Sequence, residues 1–119
     1  MPHIKLEYTD NIKQTVDTHA FFKCCHQLIV ETIGAKEENC QSCAVVHHHF
    51  CVGSGQLQEG FIILDIAFLE GRTDDQKKAL AQKISTLLQQ TFKESIKQLK
   101  LQVRLKFTIL LRSDYFKLE

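Results

Sequence analysis

The chain of 119 residues has no tryptophan and a single proline, Pro2. Proline ends or kinks regular structure, so a compact domain can largely do without it, and everything after residue 2 is free of this constraint. No stretch approaches the roughly 20 apolar residues that span a bilayer. The opening MPHIKLEYTD lacks the long apolar run of a secretory signal. The expectation is a soluble, cytoplasmic protein with no membrane partner. Charge is nearly balanced at +1, and no basic run reaches the density of a nucleic-acid surface, so nucleic acid is not an expected partner. The five cysteines (Cys24, Cys25, Cys40, Cys43 and Cys51) are an odd number without a secretory signal, which argues against a disulfide framework and for reduced thiols.

With 44% apolar and 24% charged residues, the composition is that of an ordinary globular domain. A chain this short buries only about two-thirds of its unfolded surface, so assembly with further copies would help it.

Hydrophobic periodicity divides the chain into two similar halves, about 1–55 and 56–119, of one domain spanning 1–119. His3 to Tyr8 alternates, with Ile4, Leu6 and Tyr8 on one face, as a half-buried strand does. Asp17 or Thr18 can cap a helix whose face is Phe21, Phe22, Cys25, Leu28, Ile29 and Ile33, with Gly34 as its stop. Cys43 to Val52 reads as a strand, followed by a turn at Gly53-Ser54-Gly55. In the second half, Phe61 to Leu69 (FIILDIAFL) is the near-continuous apolar run of a strand covered on both sides or facing a neighbouring subunit. Thr73 and Gln76 form a capping box, and Asp74 and Asp75 suit the start of the next helix. That helix carries Ala79, Leu80, Ile84, Leu87, Leu88, Phe92 and Ile96 on one face. Leu101 to Leu111 alternates again, with Arg104 on its polar face.

The order is therefore βαβ-βαβ. Each crossover makes its two strands parallel and puts both helices on one sheet face. The expected fold is α+β: a four-stranded sheet with two helices on one side. The other side then needs a cover, and a neighbouring subunit is the natural one.

Two groups of residues carry a resemblance. Phe68-Leu69-Glu70-Gly71-Arg72-Thr73-Asp74-Asp75-Gln76-Lys77 resembles the strand-to-helix junction of the 4-oxalocrotonate tautomerase family. Pro2-His3, Glu7 and Asp10-Asn11-Ile12, with the tail Phe116-Lys117, resemble 5-carboxymethyl-2-hydroxymuconate isomerase, a fused two-unit family of the same superfamily, which also holds the macrophage migration inhibitory factor-like proteins. The resemblance runs from Pro2 to Lys117. It implies a tautomerase-like homotrimer with sites at subunit edges, and an isomerase acting on a small dienol carboxylate of the 2-hydroxymuconate type in aromatic-compound degradation. It implies no metal and no organic cofactor.

The resemblance assigns the chemistry to Pro2. Once Met1 is trimmed, as is normal before so small a residue, Pro2 is a secondary amine. Ketonising a dienol needs a proton removed from oxygen and one delivered to carbon, and one base with a pKa near the working pH can do both. Partial burial near cations lowers an amine's pKa towards that range. If Met1 stays, the Pro2 nitrogen is an amide and cannot act as a base. Arg72, at a strand end just before a helix start, supplies a guanidinium suited to a carboxylate. Its competing role is an ion pair with Glu70 or Asp75. Arg104 resembles a substrate-facing strand arginine of the one-unit tautomerases, and its competing role is a solvated face residue.

The first half has Ile12 at the position of Arg72, and the second has the internal Ile62 at the position of Pro2. One site per chain is expected. The family pattern carries arginines where this chain has Gln41 and Cys43, so at least one expected cation is missing. Two alternatives follow: a non-catalytic trimeric binding protein on the same fold, or a zinc-binding module built from Cys40, Cys43, His47, His49 and Cys51. His3, His19 and His26 carry no motif.

Overall fold

A computed structural model describes residues 1–119. Its order is β1 (His3–Thr9), α1 (Thr18–Ile33), β2 (Gln41–His47), β3 (Glu59–Leu69), α2 (Asp74–Thr91), α3 (Lys93–Gln98) and β4 (Lys100–Leu110). The sheet runs β2-β1-β3-β4. β2 lies parallel to β1 and β4 parallel to β3, while β1 and β3 meet antiparallel with His3 opposite Ala67 and Tyr8 opposite Ile62. The expected pair of βαβ halves is present, joined edge to edge through their first strands. No helix is long and apolar enough to cross a membrane.

Local sequence explains the helix ends. The Asp17 side chain accepts from the Ala20 N–H at 3.0 Å, and Gly34 closes α1 at φ +72°, a conformation open to glycine. The Thr73–Gln76 capping box forms in full at the start of α2. The core lies between both helices and one sheet face: Ile4 and Leu6 of β1, Ile62, Leu64, Ile66 and Phe68 of β3, and Phe21, Cys25, Ile29, Leu80, Ile84 and Leu88 from the helices. β3, central in the sheet, alternates buried and half-buried residues, so its continuous apolar run serves two faces. The second face has no helix over it. Val45, Ile63, Ala67 and Leu69 share it with Lys5, Glu7, Asp65, Arg104 and Lys106.

Three expectations are corrected. The strand expected over 43–52 is β2 over 41–47, because the chain turns away after His47. The Asp10 N–H donates to the His47 carbonyl at 3.0 Å as the strand ends. The helix expected to continue through Ile96 breaks at Phe92, whose backbone leaves helical geometry (φ −104°, ψ +22°) while its ring is fully buried against Tyr8 and Phe21. Gln14 fixes the break: its side-chain oxygen accepts from the Ser95 N–H at 3.0 Å and the Ser95 hydroxyl at 2.7 Å. The last strand begins at Lys100, one residue earlier than expected, and ends at Leu110.

Gly60 lies where the end of β1 crosses β3. A Cβ there would stand 2.5 Å from Thr9 Oγ1 and 2.9 Å from Asn11 Oδ1. These oxygens hold the crossing: Thr9 donates to Asn11 at 2.7 Å and accepts from the Phe61 N–H at 3.2 Å. Gly60→Ala is expected to lower unfolding stability by about 1–3 kcal/mol, the usual cost of overpacking, as read by urea denaturation.

Candidate active site

Pro2 is buried immediately ahead of β1. Its carbonyl accepts from the Gln41 N–H at 3.1 Å, which fixes it against the start of β2. Because β1 and β3 are antiparallel, the start of β1 lies beside the end of β3, and therefore beside the turn that carries Arg72. Gly71 makes that turn at φ +117°, where a side chain is strained, and Thr73 then caps α2. Pro2 and Arg72 thus share one end of the sheet. Their counterparts are both shut in the core, Ile62 at 0% exposure and Ile12 at 7%.

Two depressions flank the start of β1. One, of about 370 Å³, opens on the helix-free face and is lined by His3, Lys5, Gln41, Ser42, Cys43 and Asp65, among others. The other, of about 260 Å³, lies between Met1, Asn39, Leu69, Tyr115 and Lys117. His3 and Gln41 line both. The terminal amine of Met1 donates to the Asn39 carbonyl at 3.4 Å, and Met1 lines the second depression only.

Arg72 does not form the ion pair with Glu70 or Asp75. Half-buried, it donates from Nε to the carbonyl of Ile33, the last residue of α1, at 3.3 Å. That carbonyl is one of the unsatisfied acceptors at a helix end, where a cation also complements the helix dipole. The Nη edge, the half of the guanidinium that forks onto a carboxylate, has no protein partner. Arg72 is outside the lining of both depressions. Arg104 is exposed in mid-strand and donates only to its neighbour's carbonyl, Val103, at 3.1 Å. It stands opposite Ile63, in the row of Glu7. That row is five residues from Pro2 and Arg104 is two strands away, roughly 16 Å along and 10 Å across. Within one chain the structure brings Arg72 to the end that holds Pro2 and leaves Arg104 distant.

The zinc constellation does not assemble. His49 and Cys51 lie beyond β2, and His47 Nε2 is engaged with Glu7 Oε1 at 3.0 Å. No three His, Cys, Asp or Glu side chains lie close enough together to hold a metal.

His3 and Lys5 line the first depression and were passed over by motif reading. A histidine and a lysine on a strand have no spacing signature, although their place beside Pro2 was a usable signal. Burial, helped by the nearby terminal ammonium, holds the His3 imidazole below its usual pKa, and its ring packs edge-on to Tyr115 at 6.4 Å. His26, hydrogen-bonded to Ser42 Oγ, is lowered too: burial outweighs the opposing pull of Glu37.

A four-stranded sheet of two fused βαβ halves, with a proline before its first strand, defines the two-unit class of the tautomerase fold. The chain belongs to the 5-carboxymethyl-2-hydroxymuconate isomerase family, whose pattern it matches over residues 2–118, and it is an isomerase. The crystal structure of a 5-carboxymethyl-2-hydroxymuconate isomerase from Deinococcus radiodurans R1 superposes with a TM-score of 0.89 at 18% identity, covering 99% of this chain and 89% of that one. A 5-carboxymethyl-2-hydroxymuconate delta-isomerase superposes at 0.76 with 17% identity, covering 100% and 87%. A fused 4-OT, a symmetric trimer, gives 0.76 with 15% identity, covering 98% and 91%. No curated protein sequence matches the chain.

Two predictions follow from this geometry. Arg72→Met is expected to cost about 1 kcal/mol in urea denaturation without any substrate, the worth of one hydrogen bond to an orphan carbonyl. The second concerns pH. A histidine with a lowered folded-state pKa takes up its proton more readily when unfolded. Its stabilising contribution is therefore present above the unfolded value of 6.5 and is lost as pH falls from there towards the folded value. Tm is expected to decline from pH 7.5 to pH 5, and a His3→Gln/His26→Gln double variant is expected to show a shallower decline in the same scan.

Proposed function

We propose that this isomerase moves a proton between oxygen and carbon of an enol or dienol carboxylate, with the nitrogen of Pro2, freed by removal of Met1, as both base and acid. The observation that carries this reading is the position of Pro2: buried ahead of β1, tied to β2 through its carbonyl, and at the end of the sheet that also holds Arg72. Burial disfavours the charged amine and lowers its pKa. The ring directs the lone pair, and one neutral amine then serves both proton transfers.

Arg72 supplies its free Nη edge to a substrate carboxylate, or to the charge that grows on oxygen during ketonisation. Gripping the Ile33 carbonyl through Nε holds that edge still, so its structural role and its binding role are compatible. No metal or organic cofactor takes part. The unit of function is a homotrimer. Three copies would cover the helix-free faces that carry half-exposed Ile63 and Leu69, as befits a sheet with helices on one side only. A fused relative is a symmetric trimer. Arg104, far from its own Pro2, then serves the site of a neighbouring subunit. With Ile62 and Ile12 buried, there is one site per chain.

The test is ketonisation of the enol of phenylpyruvate, followed by ultraviolet absorbance. Pro2→Ala is expected to reduce kcat/KM by about 10²–10⁴-fold, the usual contribution of a positioned acid–base. Equal rates would instead favour the non-catalytic binding protein, the reading supported by Gln41 and Cys43 in place of arginines.

A further inference from the structure

The second depression lies at the rim of the helix-free face rather than on it. Every strand residue in its lining is terminal: His3 and Gln41 begin β1 and β2, and Leu69 ends β3. A trimer that covers the face therefore meets this depression at a subunit edge. One wall is the segment after β4, and the turn that carries Arg72 pins that segment in place. The Glu70 N–H donates to the Leu110 carbonyl at 2.9 Å, and the Glu70 carboxylate accepts from the Arg112 N–H at 2.8 Å. A tight turn over Arg112–Asp114 follows, with the Asp114 N–H donating to the Leu111 carbonyl at 2.9 Å. It delivers Tyr115, half-buried, into the lining, with its ring edge-on to His3 at 6.4 Å. The Tyr115 hydroxyl bonds to no group of the chain. No side-chain polar atom is both buried and unpaired, so this oxygen is open to solvent.

Met1 connects this wall to Pro2. Met1 lines the depression, and its carbonyl carbon is the atom bonded to the Pro2 nitrogen, while Pro2 itself is buried behind it. Removal of Met1 bares the nitrogen towards the space that Met1 held and adds that space to a depression of about 260 Å³. A ligand in the place of Met1 meets the amine on one side and the Tyr115 wall on another. We propose that Tyr115 is a further catalytic residue of this enzyme, its hydroxyl donating a hydrogen bond to the substrate oxygen while Pro2 moves the proton. The inference rests on Pro2 as the proton-transferring group. When the Pro2 nitrogen takes the enol proton, the electron pair of the O–H bond stays on oxygen as negative charge. That pair becomes the carbonyl double bond as the carbon–carbon π pair takes the same proton back from Pro2. Tyr115 keeps its own proton throughout. A donor already oriented by packing needs no reorganisation to meet the charge on oxygen. Lys117 of the same lining is offset by the carboxylates of Glu38 and Glu119, which leaves that charge to a fixed dipole.

The experiment compares wild type, Tyr115→Phe and Pro2→Ala, each untagged and freed of Met1, on the enol of phenylpyruvate. Tyr115→Phe keeps the ring against His3 and removes the hydroxyl alone. It is expected to lower kcat by about 10²-fold, the usual loss for one donor to a developing oxyanion, with KM little changed and Tm unchanged. A second readout needs no turnover. The chain has no tryptophan and two tyrosines, Tyr8 and Tyr115, so its emission reports on these two rings alone. Phenyllactate, which cannot ketonise, is expected to change that emission saturably in wild type and in Pro2→Ala, and to leave it unchanged in Tyr115→Phe. An unchanged kcat in Tyr115→Phe would overturn the proposal. So would a fall in kcat matched by a fall in Tm, which returns Tyr115 to a structural role, or a wild-type emission that phenyllactate does not alter. If Pro2→Ala keeps full activity while Tyr115→Phe loses both kcat and the emission response, the proline reading fails and the Tyr115 donor stands. If Pro2→Ala is inactive while Tyr115→Phe keeps its kcat, the proline reading stands and the Tyr115 proposal falls.

Discussion

The antiparallel pairing of β1 with β3 is the constraint on which the rest of the molecule depends. Each βαβ half is internally parallel, and only this seam decides how the halves face one another. With His3 opposite Ala67, the start of the first half is laid beside the end of the second. The chain's first residues and the Gly71-Arg72 turn therefore meet at one end of the sheet, although 70 residues separate them. The same seam carries the core: Ile4 and Leu6 lie against Leu64 and Ile66 beneath both helices. A shift of one residue would turn every one of these side chains to the opposite face, so burial specifies the register strongly.

Two sequence differences between the halves make the ends of the sheet unequal. Where one half has Pro2, the other has Ile62, and where one has Arg72, the other has Ile12. Both isoleucines are core residues. One end of the sheet is thus closed by core packing, while the end with Pro2 and Arg72 is not. The open end keeps polar, half-exposed groups of low net charge. His3 is biased towards neutrality, Asp65 is held by Lys106 and Thr108, and Arg72 is anchored on a helix end. Cys25, by contrast, has its thiol pushed up to about 12 by burial, with Cys24 adding to the shift, and packs as an inert core residue.

Most of the fold was legible because it rests on local signals. Alternation marked β1 and β4, Asp17 and Gly34 bounded α1, and the Thr73–Gln76 box fixed the start of α2. What was not legible depends on contacts between distant residues. The break at Phe92 needs Gln14 to reach Ser95, 81 positions away. Helical spacing through Ile96 gives no hint of it. The early end of β2 follows from where β1 stops, and that also dissolved the apparent Cys and His ligand set. At the site, the proline and the EGRT junction could be read directly. The hold of Arg72 on Ile33, and the packing of Tyr115 on His3 at the same end of the sheet, could not, because both are choices of partner made in three dimensions.

The proposed proton transfer requires a free secondary amine at residue 2. The most direct measurement is the mass of the amino-terminal peptide of the natively expressed, untagged protein. The account predicts a peptide that begins at Pro2, with no Met1. A peptide that retains Met1 would make the Pro2 nitrogen an amide and contradict it.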